Sequence, residues 1–117
     1  MKAVLKNYRQ SPRKVRLLAG LIQGKRADLA TVQLDNFIKR GSLPMKKLLA
    51  SAVANSGKSA SELVVKSARV DKGMVMKRFT PRAFGRASQI LKKCSHIMIE
   101  LSPINIIKTN SVKANTK

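Results

Sequence analysis

From Ser11 to Lys25 the apolar residues Val15, Leu18, Ala19 and Ile22 recur at three- and four-residue intervals, the spacing of one helix face. Leu17 and Leu21 widen the stripe, and Arg13 and Arg16 fall towards the other side. Ser11 followed by Pro12 supplies a hydroxyl N-cap and a proline at the first helical position, and Gly24 is placed to cap the C-terminus. The spacing predicts a second helix from about Ala27, with Ala30, Leu34, Phe37 and Ile38 on one side, Asp28 in the first turn and a stop at Arg40-Gly41-Ser42. A third follows: Met45, Leu48, Leu49, Ala52 and Val53 fit i, i+3, i+4, i+7, i+8. Ser42 or Leu43 lies near its N-cap, Pro44 in its first turn, and Asn55-Ser56-Gly57 at its end.

The rest of the chain reads as strand. Val4 to Arg9 predicts a short one, with Val4, Lys6 and Tyr8 on one face. Leu63-Val64-Val65 opens a β-branched stretch to Val70, and Ile97, Ile99 and Leu101 alternate with His96, Met98 and Glu100 up to Pro103. Between these lies a segment whose turn is bracketed by Pro81 and Gly85. Pairing of its flanks predicts a hairpin over about residues 70–97, with a tip at about 76–87. An arm from Val70 to Pro81 spans roughly 36 Å at about 3.3 Å per residue. A compact chain of about 100 residues has a radius of gyration near 13 Å, so such an arm projects. The alternative is a surface helix over Ala87–Lys93, because Ile90 and Leu91 sit among helix formers. The expected organisation is one domain over 1–102 and a polar tail over 103–117, either loose or an extension that orders only on a partner.

Charge changes this picture most. The 117 residues carry 25 Lys and Arg against 5 Asp and Glu, a net charge of +20. Met1–Arg26 holds 8 basic residues and no acid, and Lys72–Lys93 holds 7 and no acid. The stretch between them is nearly balanced, at 7 basic and 4 acidic. Self-repulsion on this scale opposes compaction unless an anion neutralises it. The composition therefore implies a polyanion partner and argues against a freestanding enzyme for a small neutral substrate. One Cys and one His make neither a disulfide framework nor a structural zinc site. No apolar run approaches the roughly 18 residues of a membrane span, and the first residues lack the pattern of a signal peptide, so the expectation is a soluble, non-secreted chain.

Lys and Arg neutralise phosphates without reading sequence, and Arg also stacks on unpaired bases. The candidate RNA-binding residues are Arg9, Arg13, Lys14, Arg16 and Lys25 in the first basic block. In the second they are Lys72, Lys77, Arg78, Arg82, Arg86, Lys92 and Lys93. The candidate tip runs Met76, Lys77, Arg78, Phe79, Thr80, Pro81, Arg82, Ala83, Phe84, Gly85, Arg86, where Phe79 and Phe84 either stack or wedge on RNA or pack within the ribbon. The chain has no aromatic RNP sheet motif, GxxG clamp or zinc-finger spacing, which suggests scaffold-type binding to a folded nucleic acid. Cys94 and His96, two apart on a strand, share a face as a nucleophile and base would; the competing reading is an ordinary strand face. Gly57-Lys58-Ser59 matches only the end of a phosphate loop and lacks its first Gly.

Three stretches resemble one family. Ser11-Pro-Arg-Lys-Val-Arg-Leu-Leu-Ala-Gly-Leu-Ile-Gln-Gly-Lys25 is similar to the opening helix of the universal large-subunit ribosomal protein L-twenty-two family, bacterial and organellar type. Leu49-Ala-Ser-Ala-Val-Ala-Asn55 resembles its third helix. Met76-Lys-Arg-Phe-Thr-Pro-Arg-Ala-Phe-Gly-Arg-Ala87, with Ile90-Leu-Lys-Lys and Ser95-His-Ile after it, resembles its hairpin tip. The likeness covers about Leu5 to Ser102. It implies an α+β fold of three helices packed on a small antiparallel sheet with a long protruding β-hairpin, and no catalytic role, cofactor or metal. It also implies binding to large-subunit (23S-type) rRNA, support of assembly beside neighbouring ribosomal proteins, and a tip that helps line the nascent-peptide exit tunnel. The expected setting is a bacterial cytoplasmic ribosome, with an organellar one as alternative, no membrane and no homo-oligomer. The chain departs from the family where Phe84 replaces a commonly basic residue and where the segment after Asn55 is short. The rival reading is a histone-like DNA-architectural protein, which also uses basic β-arms with Pro near the tip.

Overall fold

In a computed structural model describing residues 1–104, the chain runs β1 (Lys2–Tyr8), α1 (Pro12–Ile22), α2 (Ala27–Asn36), α3 (Ser42–Ala54), a 3-10 turn (Ala60–Glu62), β2 (Leu63–Pro81) and β3 (Ala87–Pro103). The expected tail lies, from residue 105, outside the described residues. The strands form one antiparallel sheet in the order β1-β3-β2, and the fold is α+β. Helices cover one face. Val15, Leu18 and Ile22 of α1, Leu34 of α2, and Met45 and Leu49 of α3 pack with Leu63, Val65, Ile97 and Ile99 of the sheet. With aromatics at 3% of the chain, this core is aliphatic.

Helix α1 follows its pattern, burying Pro12, Val15, Leu18, Ala19 and Ile22. Leu17 does not widen the buried stripe, being 69% exposed. Ser11 occupies the N-cap without donating or accepting a side-chain cap bond. Gly24 lies just beyond the C-cap, Gln23, at φ 78°, a left-handed conformation that costs glycine little. That turn aims the Gly24 N–H at the Val65 carbonyl, 2.8 Å away, and the Val65 N–H donates in return to the Lys25 carbonyl at 2.9 Å. The α1–α2 connection is thereby fastened to β2.

Two expectations are corrected. Helix α2 ends at Asn36, and Phe37 and Ile38 lie beyond it, at 40% and 98% exposure. The chain leaves the helix in an extended conformation at Phe37, whose carbonyl accepts from Ser42 Oγ at 2.7 Å and from the Lys39 N–H at 2.8 Å. Gly41 thus becomes the N-cap of α3, ahead of the expected Ser42 or Leu43. On β1, Ala3 and Leu5 face the core while Val4 and Lys6 are exposed. Tyr8 nonetheless packs on the core, because Asn7 at φ 55° and a register shift between Leu5 and Tyr8 break the alternation.

Strands β2 and β3 pair from Leu63↔Pro103 to Pro81↔Ala87, with shifts at Val65/Ser67 and Lys72/Val75. Ala87–Lys93 is therefore strand, not helix. The buried positions of β2 end at Val70 and those of β3 begin at Cys94, so the outer arms carry no buried residue. The described residues span 63 × 36 × 23 Å with a radius of gyration of 18.1 Å. That exceeds the roughly 13 Å of a compact chain of this size, as a projecting ribbon requires.

Candidate nucleic-acid interface

The ribbon presents two wet faces. Cross-strand partners share a face, so Lys77 with Leu91 and Phe79 with Gln89 lie on one side. Met76 with Lys92 and Arg78 with Ile90 lie on the other. Each face thus alternates cation with apolar or aromatic surface, and Lys77, Arg78, Phe79, Leu91, Lys92 and Lys93 are all exposed. Among the described residues the ion pairs are Arg26–Asp28, Lys46–Asp35 and Arg69–Glu100, at 2.6, 2.7 and 3.3 Å. None reaches the arms beyond Asp71. The ribbon's positive charge is available to a partner on both sides.

Pro81 and Ala87 form the last pair, and Arg82–Arg86 make the turn. The Arg82 N–H donates to the Arg86 carbonyl at 2.7 Å, and Arg82 Nε donates to Ser88 Oγ at 3.3 Å. Phe84 and Gly85 both take left-handed conformations, at φ 58° and 66°. For Gly85 this costs little; for Phe84 it costs about 1–2 kcal/mol. The Phe84 ring is 98% exposed, so no protein contact offsets that cost.

The first basic block divides by use. Arg13 and Lys14 are exposed. Arg16 instead reaches the sheet: its Nε and Nη2 donate to the Val70 carbonyl at 3.2 and 3.1 Å, clamping α1 to the root of the hairpin. Lys25 Nζ donates to Gln33 Oε1 at 2.8 Å. These two cations have structural partners, which the charge pattern did not show. Lys72 is exposed beside the bulge at the hairpin root.

Folding also gathers residues that lie far apart in sequence. Arg9 and Lys14, from the β1–α1 junction, face Lys92 and Lys93 of β3 across an open cleft of about 830 Å3. Its third wall is the α2–α3 connection, which adds Lys39 and Arg40. Leu17, Phe37 and Leu91 supply apolar lining. The walls are tied together: Tyr8 Oη donates to the Arg40 carbonyl at 3.3 Å, and Ser95 Oγ donates to the Gln10 carbonyl. Sequence reasoning missed Lys39, Arg40 and Phe37, because the first two sit in the balanced middle of the chain and the third was assigned to the core. A signal was present: Lys39-Arg40 has no acid within three residues on either side.

Cys94 and His96 do not form a nucleophile–base pair. The Cys94 side chain is buried, and His96 Nδ1, the lone-pair nitrogen, accepts the Asn7 N–H at 3.1 Å. Both belong to the packing of the hairpin root, where Gly73 approaches so closely that an added Cβ would lie 3.2 Å from the Cys94 carbonyl carbon. Gly57 follows a helix, α3, and not the strand that a phosphate loop requires. No helix among the described residues is long and apolar enough to cross a membrane.

Comparison with known proteins gives a consistent result. A family model described as ribosomal protein L22p/L17e matches residues 3–102. The large ribosomal subunit protein uL22 of Wolinella succinogenes is 48% identical over 100 residues, covering 86% of this chain and 92% of that protein. Proteins of the same name from Campylobacter fetus and Campylobacter lari are 48% and 43% identical, covering 86% and 97% of this chain and 92% and 91% of theirs.

Proposed function

Because the chain belongs to the ribosomal protein L22p/L17e family, we propose that it is a structural constituent of the large ribosomal subunit that binds large-subunit rRNA, with its hairpin threaded into the RNA and the Arg82–Arg86 turn at the wall of the nascent-peptide exit tunnel. The family is one of structural ribosomal proteins and not of enzymes, and membership displaces the DNA-architectural reading. The observation that carries the proposal is the projecting, acid-free ribbon with cations on both faces. A ribbon charged on one face fits a flat surface; one charged on both is neutralised only by phosphates that surround it. The exposed phosphate-binding candidates are Arg9, Arg13, Lys14, Lys72, Lys77, Arg78, Arg82, Arg86, Lys92 and Lys93, with Arg16 and Lys25 acting first in the fold. Neighbouring ribosomal proteins and the nascent peptide complete the partners, and the bacterial relatives favour a bacterial cytoplasmic ribosome.

The test is co-sedimentation of the tagged chain with large subunits in high salt, followed by photo-crosslinking from position 84. Retention with the large subunit and crosslinks to tunnel RNA or nascent chain are expected. Loss of the protein from the subunit at moderate salt refutes subunit membership, and crosslinks confined to the subunit exterior refute the tunnel placement.

A further inference from the structure

The cleft at the root of the hairpin differs from the ribbon in kind. It is concave, about 830 Å3 in volume, within the roughly 300–1,000 Å3 range of ligand clefts. Six of its twelve lining residues are Lys or Arg and none is acidic. The nearest carboxylate in sequence, Asp35, is engaged by Lys46 Nζ at 2.7 Å. Cations alone would suit any phosphate. The apolar lining asks for something more: Phe37 is 40% exposed and Leu17 69%, with Leu91 opposite. An unpaired nucleotide combines these needs, an apolar π-face on the base and anionic phosphates on either side of it.

We propose that this cleft receives one unstacked nucleotide of a single-stranded RNA segment, its base lying on Phe37 against Leu17 and Leu91, and its flanking phosphates held by Arg9, Lys14, Arg40 and Lys93. The inference rests on the RNA-binding reading above and adds a site and a ligand class to it. The fold prepares the wall that carries the stack. Phe37 sits just beyond α2, fixed by the bonds that its carbonyl accepts from Ser42 and Lys39, so the ring is presented without an ordering cost for the backbone. Gln10 also lines the cleft, and its side-chain oxygen is shielded with no donor among the described residues. Turned outward, that orphan acceptor satisfies an exocyclic amino group or a 2′-hydroxyl of the entering nucleotide.

The test uses the full chain and three octameric probes of matched charge: oligoadenosine RNA, an abasic ribose-phosphate chain and oligoglutamate. Affinities are measured by anisotropy across a salt series for the wild type and for Phe37→Ala, Leu17→Ala and Val32→Ala. Stacking of one base is worth about a 5- to 150-fold change on removal of its platform. The wild type is expected to prefer adenosine over the abasic chain by a factor in that range. Phe37→Ala should remove most of this preference with the salt slope unchanged, Leu17→Ala should reduce it, and Val32→Ala, exposed on α2 and outside the cleft, should retain it. Leu17 is mostly exposed, so its replacement guards against a folding artefact. A preference that survives Phe37→Ala overturns the proposal, as does equal binding of the adenosine and abasic chains, which would leave RNA binding itself intact. Oligoglutamate binding as tightly as oligoadenosine marks a generic anion site and also overturns it. Failure to bind any of the probes or large-subunit rRNA would instead refute the RNA-binding reading.

Discussion

Replacing Leu49 by Ala should destabilise the free protein sharply, whereas replacing Phe79 on the hairpin by Ala should not. Leu49 lies on α3 at 1% exposure, inside the cluster formed with Leu18, Met45 and Ile99. Its truncation removes three carbons from a packed interior, at a cost of about 2–5 kcal/mol for transfer and residual cavity together. A domain of this size loses roughly 4–8 °C of melting temperature per kcal/mol, so a fall of about 10 °C or more is expected. That is a large share of the about 5–15 kcal/mol of stability of an ordinary domain. Phe79 is the contrasting case: larger than Leu, but 69% exposed on the ribbon. Little of its surface leaves water on folding, so Phe79→Ala should cost about 0.5 kcal/mol or less, the range of ordinary surface changes. The assay is thermal unfolding by far-UV circular dichroism at moderate salt, where self-repulsion of the +20 chain is screened. Equal losses for the two variants would show that the arms pack on the body in solution, and the projecting ribbon would be wrong.

Three further outcomes follow from single contacts. The double variant Lys77→Ala/Arg78→Ala should lower the slope of log affinity for large-subunit rRNA against log salt by about 1.4–1.8, two lost phosphate contacts, while leaving the melting temperature in place; an unchanged slope means these side chains do not meet phosphate. Arg16→Met should cost about 1–2 kcal/mol by denaturant unfolding, since it removes both donors to the Val70 carbonyl, and Arg16→Lys should cost less because one donor can remain. If Arg16→Met is neutral, the clamp between α1 and the hairpin root is not formed in solution. Gly73→Ala pushes a Cβ against the Cys94 carbonyl group at 3.2 Å, and should cost about 1 kcal/mol or more, read as faster amide exchange in Val75–Phe79 than in the core; uniform exchange changes would contradict a strain local to the bulge.

The parts of this fold that could be read from sequence are those governed by local periodicity. Helices α1 and α3 bury Val15, Leu18, Ile22, Met45, Leu49 and Ala52 as their spacing requires, and β3 buries Ile97, Ile99 and Leu101 by strict alternation. Periodicity fails where the backbone leaves its period. Phe37 and Ile38 continue the apolar spacing of α2 for two residues after the helix has ended, because Ser42 captures the Phe37 carbonyl. Asn7 at φ 55° moves Tyr8 to the core side of β1, a change that no count of apolar residues registers. Charge behaves likewise. Counting along the chain finds the ribbon, since its acid-free run is contiguous in sequence and the two arms are each other's neighbours. It misses the cleft, because that site joins residues near positions 9–18, 37–40 and 91–93, and because the stretch around Lys39 and Arg40 looks neutral only until Asp35 is taken by Lys46 and Asp28 by Arg26. Neutrality summed over a segment is not neutrality at a point: with about 8–10 Å of screening at physiological salt, the charge a partner feels is set by which carboxylates lie within that radius. The fold therefore sets cations in two arrangements, a ribbon charged on both faces and a concave site with an apolar lining.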